Sequence, residues 1–206
     1  MKKLLSCLAV FSAAAGCAAP PPQATIVPVK PVAAGLPSVP KAPIGAFALK
    51  NPHFDAEMGE HARCATGWSC TMHGDPNSFR YVHADVDGRR AFCIEPITRE
   101  PWALLTQGTY DGGLRGMRLR FSMSQHLTGV TGDGAGIWVH MPRPRPPNGH
   151  VESVTPKSNG WETRSVEFDV PDDSPLVEVG VILRGKGRAC FDDARLEVLR
   201  PAKNPV

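Results

Sequence analysis

Met117-Arg-Leu-Arg-Phe-Ser-Met123 places apolar residues at 117, 119, 121 and 123 and polar ones between them. A period of two sends successive side chains to opposite faces of an extended strand, so one face is buried and the other is wet. The alternation recurs in Ile137, Val139 and Met141, in Val166, Phe168 and Val170, and in Val177, Val179, Val181 and Leu183. Turn-forming runs such as Gly132-Asp133-Gly134 and Pro171-Asp172-Asp173 separate these segments. From Asn51 onward no long segment has a helical period, and helix is expected only as a turn or two around Arg99 to Leu105. Several short strands at close spacing predict an all-β domain over residues 49–200, an antiparallel β-sandwich of the jelly-roll kind.

Upstream of that domain, prolines stand at 20, 21, 22, 28, 31, 37, 40 and 43. Proline lacks a backbone donor and fixes φ, so neither helix nor central strand suits this run. Residues 17–48 read as a disordered Pro/Ala-rich tether, extended at about 3.1 Å per residue where polyproline-like. Before it, Lys2 and Lys3 precede the mostly apolar stretch Leu4 to Ala15. That stretch falls short of the roughly 20 apolar residues a membrane-spanning helix needs, and it suits an export signal over residues 1–16. Ala14-Ala15-Gly16-Cys17 resembles the bacterial lipoprotein cleavage box, which makes Cys17 the lipidated first residue of the mature chain. Ordinary cleavage near Ala15 or Ala19, releasing a soluble protein, is the alternative. Ala18, where inner-membrane retention typically shows Asp, implies anchoring to the outer membrane, facing periplasm or cell surface.

Losing Lys2 and Lys3 with the signal lowers the formal charge from +3 to +1. A nearly neutral domain has no basic field to gather nucleic acid, and that class of partner is excluded. Export also changes how the cysteines read. Cys7 leaves with the signal and Cys17 takes lipid, so Cys64, Cys70, Cys93 and Cys190 remain. Four thiols in an oxidising compartment argue for two disulfides, with three possible pairings.

Three runs carry a resemblance that periodicity does not supply: REPWALLTQGTYDGGLRGMRLRFSM (99–123), GAGIWVHM (134–141) and NGWETRSVEFDVPDDSPLVEVGVILRGKGRACFDDARLEV (159–198). They hold a Gln before an Arg-Gly-apolar strand, a Gly-apolar-Trp strand, a Trp-led strand ending in Val-Pro, and a closing Asp-Asp-x-x-Leu-Glu strand. Together they resemble the galactose-binding-like jelly-roll domains found beside carbohydrate-active enzymes and esterases. Asn51 to Asp55 and Gly67-Trp68 fit the N-terminal half of that pattern more loosely.

The resemblance makes the strands of Cys93 and Cys190 antiparallel neighbours, which implies a cross-strand disulfide between them. It makes Trp68 to Met72 a strand, with Cys64 in the loop before it, so a Cys64–Cys70 bridge would pin the start of that strand. His61-Ala-Arg-Cys64 and Cys70-Thr-Met-His73 also have a spacing zinc can use. Export works against the thiolates zinc needs, and a strand sends His73 away from Cys70. The disulfide is the favoured reading, with zinc as the alternative.

No nucleophile elbow, zinc-protease helix, P-loop or dinucleotide fingerprint is present in the chain. Neighbours on a strand face opposite ways, so neither Asp172-Asp173 nor Asp192-Asp193 makes a glycosidase pair by itself. Related carbohydrate-binding jelly rolls often hold a structural calcium, which the resemblance carries onto Asp55 and Asp193; no other cofactor is expected. Sugar rings stack on exposed aromatic faces. Trp68, Trp138 and Trp161 take framework positions in the resemblance, and Trp102 precedes a strand where an aromatic is usual, so core is the default reading of each; if one is a binding platform, Trp102 is the choice. Trp138 and His140 share the strand face opposite Ile137, Val139 and Met141. Arg143 and Arg145, in the loop MPRPRPPNGH (141–150), are candidate ligand contacts beside them, or simply solvated. The expectation is a non-catalytic envelope lipoprotein that binds a carbohydrate or cell-wall glycan. The alternative is a structural module that docks on an envelope protein.

Overall fold

The computed structural model describes residues 39–58, 62–144 and 147–203. Nine antiparallel strands account for most of them: β1 (Gly45–Phe47), β2 (Ser69–Met72), β3 (Phe79–Val86), β4 (Arg89–Pro96), β5 (Ala103–Thr109), β6 (Met117–Met141), β7 (Gly149–Thr155), β8 (Glu162–Asp169) and β9 (Val177–Pro201). The signal segment and Cys17 lie outside the described residues. Gly45–Phe47, which proline content assigned to the tether, pair with Leu196 to Val198 of β9, so the domain begins before residue 49.

β6 and β9 organise the fold because each runs for 25 residues and they pair with each other from Met117 to His140. Their two halves serve two layers. In one, the order is β2-β5-β9-β6-β7, using Val177 to Leu183 of β9 and Ala135 to Met141 of β6. In the other, the order is β3-β4-β9-β6-β8, using Ala189 to Asp192 and Arg118 to Gln125, with β1 alongside the end of β9. The inward residues of both layers form one core: Leu119, Phe121 and Met123 meet Ile137, Val139, Val179, Val181 and Leu183, all essentially buried. The period-two pattern is the record of that burial.

Passing from one layer to the other requires a corner in both long strands. Register shifts fall between Thr128 and Gly134 of β6, opposite Arg184 to Arg188 of β9. Gly187 sits there at φ 98°, and a Cβ on it would lie 2.5 Å from the backbone of Gly129. Both the positive φ and the close approach demand glycine. Gly187→Ala is therefore expected to cost about 2 kcal/mol or more in urea unfolding; a change near zero would mean that the corner is not tight.

The segment Asn51 to Asp55 folds around a single ring. Phe54, at φ 54°, is fully buried with its centroid 5.1 Å from Trp68 and 5.7 Å from Phe92. The Asn51 carbonyl accepts from Phe54 N at 3.2 Å and from Trp68 Nε1 at 3.1 Å, so Trp68 is a core residue. Two disulfides add covalent ties, Cys64–Cys70 and Cys93–Cys190. Cys93 faces Cys190 in the β4–β9 register, on the outer side of the second layer. There Ala91, Val82, Ala84, Val86 and Trp161 cover the bridge.

Elsewhere that outer side is polar. Arg118 meets Glu167 and Asp169 at 3.1 Å, and Arg120 meets Glu167 at 2.7 Å. Hydrogen bonds from Arg120 and then Arg118 hold the Glu167 carboxyl below the ordinary glutamate range. A depressed folded-state value means that its stabilising contribution is present above the unfolded value and fades as pH falls through the folded one.

Arg99 to Leu105 forms no helix. Ala103 to Thr109 is β5, because flanking β2 and β9 satisfy its backbone while Ala103 and Leu105 point into the core. Among the described residues the helical content is one 3-10 turn, Gly112–Leu114, capped by the Asp111 side chain.

Candidate functional site

Register across the first layer brings scattered residues into rows on its outer face. Thr106 (β5), Gly180 (β9), Trp138 (β6) and Glu152 (β7) stand in line across four strands. The next row holds Gly108, Glu178, His140 and His150. Trp102 immediately precedes inward-facing Ala103, so alternation sends it to this same outer face, and Arg184 follows Leu183, the partner of Ala103. The Trp102 carbonyl accepts from His73 N at 3.1 Å, and the two rings lie 6.0 Å apart. His73 in turn reaches Glu100 at 2.8 Å.

The result is an aromatic and polar surface centred on Trp138. Its ring centroid is 5.5 Å from His140 and 5.8 Å from His150. Glu152 accepts from Arg184 at 2.6 Å and lies 3.1 Å from His150. Thr106 donates to Glu178 at 2.8 Å, and His140 lies 3.7 Å from the same carboxylate. Rings that offer a flat apolar surface beside fixed donors and acceptors can hold a ligand that is itself apolar on one face and polar at its rim.

The sequence-derived candidates divide. Trp102, Trp138 and His140 occupy this face. Arg143 does not contribute a free guanidinium: it is 19% exposed and grips Asp173 through Nε at 2.7 Å and Nη2 at 3.3 Å, which fixes the loop. Arg145 and His61 lie outside the described residues. Both cysteines of the zinc-like spacing are joined in a disulfide, leaving no thiolate for a metal. His150, Glu152, Glu178 and Arg184 escaped sequence reasoning. Period two would have turned each outward, but only strand register shows that they meet around Trp138.

Of the two residues named for calcium, Asp55 is exposed, while Asp193 gathers with Asp192 and His53, whose ligand atoms lie within 4.8 Å of one another. Asp193, at φ 53°, breaks strand alternation, so its carboxylate joins that of Asp192 on one side. Arg89 bonds both, reaching Asp192 through Nε at 2.6 Å, while His53 meets Asp193 at 2.7 Å. Arg89 also lies over the Trp161 ring, 4.5 Å from its centroid. The cationic position is filled by a guanidinium, and these residues do not fit calcium, which needs six to eight oxygens. EGTA is expected to leave the melting temperature unchanged; a fall of several degrees, reversed by added calcium, would restore the ion.

No family model and no curated protein matches the chain. Solved structures do share its fold. A putative sugar binding protein from Bacteroides thetaiotaomicron is 13% identical over 73% of this chain and 98% of its own, with a TM-score of 0.55. The CBM22-1 xylan-binding domain from Paenibacillus barcinonensis Xyn10C is 10% identical over 80% and 100%, with a TM-score of 0.54. The enzymatically active domain of tailspike protein 4 from bacteriophage CBA120 is 10% identical over 65% of this chain, which spans only 20% of that protein (TM-score 0.52). The chain shares the β-sandwich jelly-roll fold of these structures.

Proposed function

We propose that the outer face of the β2-β5-β9-β6-β7 layer binds a carbohydrate or cell-wall glycan, and that the domain binds it without chemically altering it. One observation carries this reading: of the four tryptophans, Trp102 and Trp138 share one outer face with Arg184, Glu152, Glu178, His140 and His150, whereas Trp68 is core and Trp161 covers a disulfide. The sugar-binding and xylan-binding proteins of the same fold support it as analogues. In this reading the chain is exported and lipidated at Cys17, so that the domain is held at the outer membrane. Two disulfides suit such an oxidising compartment.

A glycan array followed by calorimetry on the best ligand tests the proposal. Binding that Trp102→Ala weakens about tenfold supports it. Capture of one envelope protein in place of any glycan would favour the docking role, and hydrolysis of a bound glycoside lost with one carboxylate would make the domain an enzyme.

A further inference from the structure

The charges of this face are unevenly matched. Arg184 is neutralised by Glu152 at 2.6 Å, and Glu152 also faces His150 at 3.1 Å. Glu178 has no such partner. Thr106 donates to one of its oxygens at 2.8 Å, while the other sees only His140 Nδ1 at 3.7 Å, beyond hydrogen-bond reach. No lysine or arginine among the described residues pairs with it, and its side chain remains 28% exposed. A carboxylate offers about four lone-pair sites, so most of its accepting capacity is unused.

Its position matters as much as its charge. His140 faces Glu178 across the β6–β9 pair, and Trp138 is two residues before His140 on the same face, a diagonal neighbour within reach of long side chains. Tryptophan is the best aromatic partner for a cation, and a carboxylate beside it adds a charge that a cationic group can pair with and a neutral sugar cannot.

We infer that the ligand carries a protonated amino group, as in a glycan of amino sugars with free ammonium, seated between the Trp138 ring and Glu178. This rests on the glycan-binding reading above. An acidic glycan would instead meet Glu178 with like charge, and a neutral one would gain a charge-assisted hydrogen bond but no ion pair.

Calorimetry on the full chain, with matched β-1,4-linked oligomers of glucosamine, glucose, N-acetylglucosamine and galacturonate, separates the outcomes. The free amine is expected to bind about tenfold more tightly than its hydroxyl and acetylated counterparts, and galacturonate most weakly. Glu178→Gln should lower the ratio of amine to hydroxyl affinities several-fold, leaving only what the Trp138 ring contributes. If that variant fails to fold, the comparison of free and acetylated amine on the unaltered chain decides alone. Equal affinity for amine and hydroxyl oligomers, tighter binding of galacturonate, or a preference that Glu178→Gln leaves unchanged overturns the inference and leaves the glycan-binding reading standing. Binding to no oligomer overturns both.

Discussion

Replacing Trp138 by alanine is expected to weaken glycan binding about tenfold to a hundredfold, a loss of roughly 1.4 to 2.7 kcal/mol. The indole stands on the outer face at the junction of the two rows, with its ring against those of His140 and His150. Truncation removes the stacking plane and frees the two imidazoles that rest on it. The fold should hardly notice, because inward Ile137 and Val139 on either side keep the strand packed. A change in unfolding free energy within about 1 kcal/mol is expected. Trp68→Ala should do the reverse. That ring is 7% exposed and packs on Phe54, so its loss should cost about 3 to 5 kcal/mol with little direct effect on binding. If Trp138→Ala bound glycan as well as the native chain, stacking on this face would play no part.

The two disulfides should differ sharply in what they contribute. Cys93–Cys190 joins residues 97 apart in sequence, and Cys64–Cys70 only 6. Chain entropy in the unfolded state falls with the logarithm of the loop closed, giving about 4.7 kcal/mol for the first and about 2 for the second. Replacing Cys93 and Cys190 together by alanine is thus expected to lower unfolding free energy by about 4 kcal/mol, a large part of what a domain this size possesses. The small apolar cluster around that bridge, including Trp161, would also lose its centre. Replacing Cys64 and Cys70 should cost about half as much. Denaturant titration of both double variants measures the difference. Equal costs would mean that the unfolded chain is already compact enough to make the long loop cheap to close.

What the sequence made legible follows from what strand periodicity encodes. Alternation at Met117 to Met123 and Val177 to Leu183 named the inward residues, and the structure buries all of them. The pattern cannot say which strands are neighbours. Hence Trp138 and His140 emerged as a pair on one strand, whereas Glu178 and His150, partners only through register, did not. Alternation also misled wherever the backbone leaves the extended region. At Asp193 a positive φ turns two consecutive carboxylates onto Arg89. Proline content set the start of the domain too late, since three residues of β1 suffice to extend the edge of β9. Arg143 was read as free because its partner Asp173 is thirty residues away and meets it only in the folded chain.

The central claim is tested most directly by following the four indole N–H signals in an NMR titration with the best glycan. Trp68 and Trp161 donate to the carbonyls of Asn51 and Val86, away from the proposed face. Saturable shifts at Trp102 and Trp138, with Trp68 and Trp161 still, are the predicted result. Shifts at Trp161 alone, or binding that moves none of the four, would contradict it.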